Sequence, residues 1–204
     1  MPAWMFKKYP DIARVDYQGR RHVFGQRHNF CPNSKNYQRL DSELVEKLAQ
    51  HYADNPHIVV WHVNNEYGGN CYCGNCQNAF RDWLRNKYKT LGALNKAWNM
   101  NVWSHTIYDW DEIVVPNELG DAWGPESSET IVAGLSIDYL RFQSESLQNL
   151  FKMEKAVIKK YDPETPVTTN FHSLPNKMID YQKWAKDQDI ISYDSYPTYD
   201  APAY

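Results

Sequence analysis

The chain has 204 residues, of which 42% are hydrophobic, enough for one domain with a real core. Its net charge of −3 comes with no basic run, which argues against nucleic acid as the main partner. No apolar stretch approaches the roughly 20 residues of a membrane span, which argues against a membrane partner. The opening Met-Pro-Ala-Trp-Met-Phe-Lys-Lys is not a secretory signal, so a cytoplasmic protein is expected. Aromatic residues are abundant, with 8 Trp, 15 Tyr and 7 Phe. Composition alone assigns them to core packing before sugar stacking.

Residues 1–33 show little periodicity and read as a long loop punctuated by Pro2, Pro10, Gly19 and Gly25. A helical pattern follows, with Leu40, Leu44, Leu48 and Tyr52 on one face and Ser34 as its cap. Asp54-Asn55-Pro56 stops it, because the residue before proline is pushed out of the helical region. The run 58–63, Ile-Val-Val-Trp-His-Val, reads as a strand buried on both faces and closed by Asn64, Asn65 and Glu66. Helices are expected from Cys76 to about Tyr88, over 91–98, and over 129–161, separated by an aromatic-rich excursion at 99–128. The last helix carries Leu135, Tyr139, Phe142, Leu150, Met153 and Val157 on one stripe, a core face. Two further strands, 166–171 and 189–193, flank a brief helix at 181–186. Three strands alternating with helices predict an α/β fold with a parallel sheet. Each strand ends in polar groups (Asn65 and Glu66, Asn170, Asp194), and that carboxyl edge is where such folds place their chemistry.

Two constellations stand out. Cys31 and the cluster Cys71-x-Cys73-x-x-Cys76 account for all four cysteines. Four thiolates complete a tetrahedral structural zinc site with no open position for water. The alternatives are two disulfides or plain buried thiols. A reducing compartment and the tight spacing of the three downstream cysteines favour zinc. The metal would staple the loop after Glu66 to the loop carrying Arg27. Glu66 itself follows an apolar strand and sits beside Trp61, Asn65 and Tyr67, a setting suited to a general acid. The plainer reading is a solvated surface carboxylate.

Taken together, WHVNNEYG at 61–68, FGQRHNFCPNS at 24–34 and CYCGNC at 71–76 resemble the glycoside hydrolase family 42 β-galactosidases. So do PAWM at 2–5, LNKAWNMNVWSHTIYDWDEI at 94–113 and DIISYDSYP at 189–197. The resemblance runs from Met1 to about Pro197. It implies part of a (β/α)8 TIM barrel of the retaining glycosidase clan, in which residues 1–204 form part of a single catalytic domain lacking its first three and last two strands. It implies further that Glu66 is the acid/base and that Asn65 contacts the sugar hydroxyl beside the anomeric carbon. Arg27 would bind galactose hydroxyls, Tyr196 would stand near the nucleophile, and Trp103 would reach a neighbour's pocket in a homotrimer. Cys31, Cys71, Cys73 and Cys76 match the zinc ligands of many members. Lys35 departs from the family pattern, which has proline there. The nucleophile, a Glu at the end of strand seven, has no counterpart, and Glu112, Glu118, Glu126 and Asp194 do not match its place. The expected function is hydrolysis of β-D-galactosides by double displacement, with little activity in the isolated chain. A galactoside-binding module without catalysis, and a zinc-stapled interaction domain, are the competing readings.

Overall fold

A computed structural model describes residues 1–25, 27–118, 132–171 and 178–196. The first segment is less irregular than its sequence predicts. It opens with helix α1 (Ala3–Lys8) and a single 3-10 turn at Pro10–Ile12. Isolated antiparallel bridges then join Ala13 to Phe30 and Val15 to Arg21. Periodicity fails to reveal them because each element is shorter than two full helical turns or a strand pair.

Helix α2 (Lys35–Tyr52) begins where expected, and the Ser34 hydroxyl accepts from the Tyr37 amide. Its inward face is offset from the one the leucines predict. Tyr37 and Ala49 are buried, Val45 is partly so, and Asp41 lies in the same row, so the spacing 37/41/45/49 faces the core. Leu44, Leu48 and Tyr52 are exposed. A carboxylate and an alanine in the inward row disguise it as polar.

Strand β1 (Trp61–His62) is shorter than the apolar run around it, and Val59 and Val60 are 79% and 37% exposed. The expected burial on both faces is therefore not found: among the described residues nothing covers that face of the run. The segment after it forms α3 (Gly74–Tyr88) and α4 (Leu91–Trp98), close to the expected spans. Phe80 and Leu84 of α3 are fully buried. A 3-10 turn at Trp110–Glu112 lies in the excursion; Trp123 and Glu126 fall outside the described residues.

Helix α5 (Ala133–Tyr161) is the organiser of the molecule; positions 129–131 of its expected span lie outside the described residues. Its first half turns Leu135, Tyr139 and Phe142 into an aromatic core with Phe80, Leu94 and Trp98. Its second half turns Leu147, Leu150, Phe151 and Ile158 into another core with Ile12, Tyr67, Val167 and Trp184. Each such side chain, taken fully out of water, contributes about 1.5–3 kcal/mol. Strands β2 (Val167–Thr168) and β3 (Asn170–Phe171) follow, then α6 (Tyr181–Trp184) and β4 (Ser192–Tyr193). β1 pairs with β2, and β3 with β4, both in parallel. The run 166–171 is thus central, with 61–63 on one side and 189–194 on the other, as the alternation of strands and helices predicts.

Candidate active site and thiol cluster

Where β1 runs out, the chain turns through two left-handed residues, Asn64 at φ 51° and Glu66 at φ 52°. Asparagine tolerates that region because its side chain bonds locally, and here Asn64 Oδ1 accepts from the Asn65 amide at 2.8 Å. Glutamate has no such compensation, and a left-handed non-glycine residue costs about 1–3 kcal/mol. The cost is offset from the neighbouring strand: the Glu66 amide donates to Asn170 Oδ1 at 3.0 Å. Asn170 also donates from Nδ2 to Asp194 Oδ1 at 2.7 Å, and its Oδ1 lies 3.0 Å from His62 Nε2. One amide side chain therefore ties together the ends of all three strands. The sequence marks Asn170 only as a polar strand end; its bonding to Glu66 spans 104 residues and leaves no local pattern.

The Glu66 side chain is buried and forms an ion pair with Arg27, whose own side chain is 64% exposed. Arg27, Asn64 and Asn65 line one open cleft of about 450 Å³, together with His28, Phe30 and Tyr37. The structure thus brings Arg27 and Asn65 to one cleft and Arg27 to Glu66. Trp103 is 80% exposed at φ 49°, with its ring edge toward His105, and Tyr196 is 74% exposed two residues past Asp194. Neither lines this cleft.

The loop bearing Arg27 and the loop after Glu66 touch at Gly69. Its φ is 84°, and a Cβ there would lie 2.2 Å from Arg14 Nη1 and 3.0 Å from His28 Cβ, so only glycine permits the approach. Just beyond, Cys31, Cys71, Cys73 and Cys76 converge, all buried, with their sulfurs within 4.8 Å of one another. Cys31 Sγ is 3.5 Å from Cys76 Sγ and 3.4 Å from Cys73 Sγ. A disulfide needs about 2.05 Å, whereas four sulfurs about 2.3 Å from one central ion stand about 3.8 Å apart. The spacing matches the second arrangement.

The surroundings also suit anionic sulfur. Cys73 caps α3, so the positive end of the helix faces it. Hydrogen bonds from Cys31, Cys71 and Cys76 pull the Cys73 thiol well below its ordinary pKa, while contacts within the cluster and burial push Cys31 and Cys76 well above theirs, so the four sulfurs become anionic together only around a cation. Asn33 Nδ2 donates to Cys76 Sγ at 3.4 Å. The Cys71 backbone is pinned by Gln143, which accepts from its N–H and donates to its carbonyl, each at 3.1 Å, and by the Tyr139 hydroxyl at 2.5 Å. Gln143 is fully buried in the apolar stripe of α5, where nothing in the sequence distinguishes it. No helix among the described residues is long and apolar enough to cross a membrane.

Known proteins place this architecture. The family model described as beta-galactosidase, glycoside hydrolase family 42, matches residues 1–203. The β-galactosidase LacZ of Lactobacillus acidophilus is 87% identical over all 204 residues, which are 31% of that protein. The β-galactosidase BgaP of Planococcus sp. is 52% identical over 98% of this chain and 29% of its own length. The crystal structure of a β-galactosidase from Bacillus circulans sp. alkalophilus superposes with a TM-score of 0.92 at 55% identity, covering 98% of this chain and 29% of that one. The chain thus spans about a third of the length of the relatives it matches. Family model, sequence identity and superposition agree: this chain belongs to the glycoside hydrolase family 42 β-galactosidases.

Proposed function

We propose that this chain supplies the acid/base side of a retaining β-galactosidase site, as part of a (β/α)8 barrel whose strands four to six are β1, β2–β3 and β4. The observation that carries the reading is Glu66: a buried carboxyl at the carboxyl end of a parallel strand, held in a left-handed conformation and aimed at Arg27 beside a cleft. In the first step protonated Glu66 gives its proton to the glycosidic oxygen as the bond to the aglycone breaks. In the second, as carboxylate, it takes a proton from the water that attacks the galactosyl-enzyme. Arg27, exposed on one side, exchanges its contact with Glu66 for sugar hydroxyls when substrate enters. Asn65 contacts the hydroxyl beside the anomeric carbon, Tyr196 stands near the nucleophile, and Trp103 reaches a neighbouring subunit of a homotrimer. The attacking carboxylate, about 5–5.5 Å from the acid/base in retaining enzymes, is assigned to none of Glu112, Glu118 or Asp194, and Glu126 lies outside the described residues.

Cys31, Cys71, Cys73 and Cys76 would hold a structural zinc ion. Four thiolates close its coordination, so the metal supplies rigidity to the loops on either side of Gly69 and no chemistry to the sugar. The reading is tested by replacing the matching 31% of the L. acidophilus relative with this segment. The chimera hydrolyses a chromogenic β-galactoside, and Glu66→Gln lowers its kcat by about 10²–10⁴-fold. The isolated folded chain shows no turnover. Full activity in the Glu66→Gln chimera would remove the acid/base assignment. Saturable galactose binding without turnover in the chimera would favour a binding module instead.

A further inference from the structure

Behind the Glu66 loop lies a group of ionisable side chains that this mechanism does not use. Tyr67 follows Glu66 directly, is 2% exposed, and packs its ring against Phe151 and Trp184. Its hydroxyl donates to the carboxyl of Glu154, on α5, which is 3% exposed. Facing Glu154 from α2 is Asp41, in the inward row of that helix. Among the described residues a further ionisable neighbour is Tyr37, also of α2, which is buried and feels the charge of both acids.

Two carboxyl groups therefore meet between packed helices, and the other ionisable groups found beside them among the described residues are tyrosines. Among the described residues no lysine, arginine or histidine offsets the charge of Glu154. Asp41 Oδ2 is buried and meets no N–H or hydroxyl donor. Two adjacent buried carboxylates cannot both ionise without a cation, but one acid and one carboxylate satisfy each other: the acid O–H donates to the oxygen that otherwise lacks a donor. Burial and the neighbouring Asp41 push Glu154 up to about 10, while burial raises Asp41 to about 6 against the hydrogen bond it accepts from Glu154.

We propose that Glu154 and Asp41 share one proton throughout the neutral range, and that this pair, through the Tyr67 hydroxyl, is a positioning device that fixes the backbone carrying Glu66. The Tyr67 proton goes to one oxygen of Glu154, and the shared proton lies between the other and Asp41. The fold thus keeps a neutral acid directly behind the proposed acid/base. The proton sharing does not depend on the β-galactosidase reading; only its consequence for Glu66 rests on it.

The test is infrared spectroscopy of the folded 204-residue chain at pH 8, where every ordinary carboxyl is ionised. One protonated-acid carbonyl band is expected. Glu154→Gln removes it. If that variant fails to fold, ¹³C-glutamate labelling of the unsubstituted chain shifts the band and ¹³C-aspartate labelling leaves it in place. No band at pH 8 overturns the shared proton. The folded state keeps a proton that the unfolded chain releases near pH 4.5, so the contribution to stability is full below that value and lost as pH rises toward 10. Relative to Glu154→Gln, the folding constant of the unsubstituted chain then falls about tenfold per pH unit between pH 6 and 9. For the positioning role, Tyr67→Phe retains the band but moves the ¹³C carboxyl resonance of Glu66. An unmoved Glu66 resonance overturns that role even if the shared proton stands and whatever the galactosidase assays show.

Discussion

The two halves of α5 serve two unlike neighbourhoods. Its first half closes over the cysteines and the aromatic core, where Phe80, Leu84, Leu94 and Tyr139 are fully buried and the Cys71 backbone groups are each paired. Its second half backs the parallel strand pairs β1–β2 and β3–β4, whose other side is uncovered among the described residues: Val59, Ile190, Ile191, Tyr193 and Tyr196 are all exposed, from 44% to 79%. Among the described residues the first region is closed, and the second is covered only on the helix side. The difference separates what stabilises the chain from what the sheet carries, since Glu66 and Asn65 stand at the boundary between the two.

That contrast is broken most severely at the thiol cluster proposed to hold zinc. Cys76→Ser is expected to abolish binding of one zinc per chain, measured by elemental analysis, and to remove a contribution on the order of 10 kcal/mol at neutral pH. An unsubstituted chain that holds no zinc, with stability unchanged by the substitution, would mean that the sulfurs are plain thiols. Next comes a paired substitution. Phe80→Ala empties a fully buried site and costs about 3–5 kcal/mol in denaturant unfolding. Val59→Ala, with 79% of the residue already in water, changes stability by less than about 0.5 kcal/mol. Equal effects would contradict the division into a closed and an open region.

Smaller effects sharpen the boundary itself. Asn170→Ala leaves the Glu66 amide and Asp194 without their shared partner and is expected to cost about 1–3 kcal/mol. Hydrogen exchange at Glu66 should accelerate while exchange at Cys71 does not. The smallest effect concerns acid. Burial works against ionisation of Asp138, but hydrogen bonds from Lys87, Tyr88 and Trp98 outweigh it and hold its carboxyl below the usual value of 3.8. Its stabilisation is therefore present above that value and lost as pH falls through it. Asp138→Asn should flatten the acid limb of the stability curve and lower the limb above pH 6 without changing its slope.

The parts of the molecule legible in the sequence are those governed by local chemistry. Ser34 caps α2 and the spans of α3 and α4 follow their periodicity, because caps and amphipathic stripes act within a few residues. The four cysteines could be grouped because three of them fall within six residues, and the structure brings all four sulfurs together. What the sequence misplaced depends on distant partners. Of the leucine row of α2 only Leu40 packs on the core while Leu44, Leu48 and Tyr52 are exposed, and the true inward row contains Asp41, half-buried opposite Glu154, over a hundred residues away. The apolar run at 58–63 marks a strand, but burial of its faces is not a local property, and Val59 shows it. Asn170 and Gln143 gain their roles from contacts that no periodicity encodes.

The most direct test of Glu66 is chemical rescue. In the chimera with the L. acidophilus relative, Glu66→Ala is assayed with a β-galactoside whose leaving group needs no proton, in the presence and absence of azide. Galactosylation is expected to survive, release of the galactosyl-enzyme to become rate-limiting, and azide to restore turnover with β-galactosyl azide as product. Loss of both steps without rescue, or rescue giving the α-azide, would place Glu66 in another role.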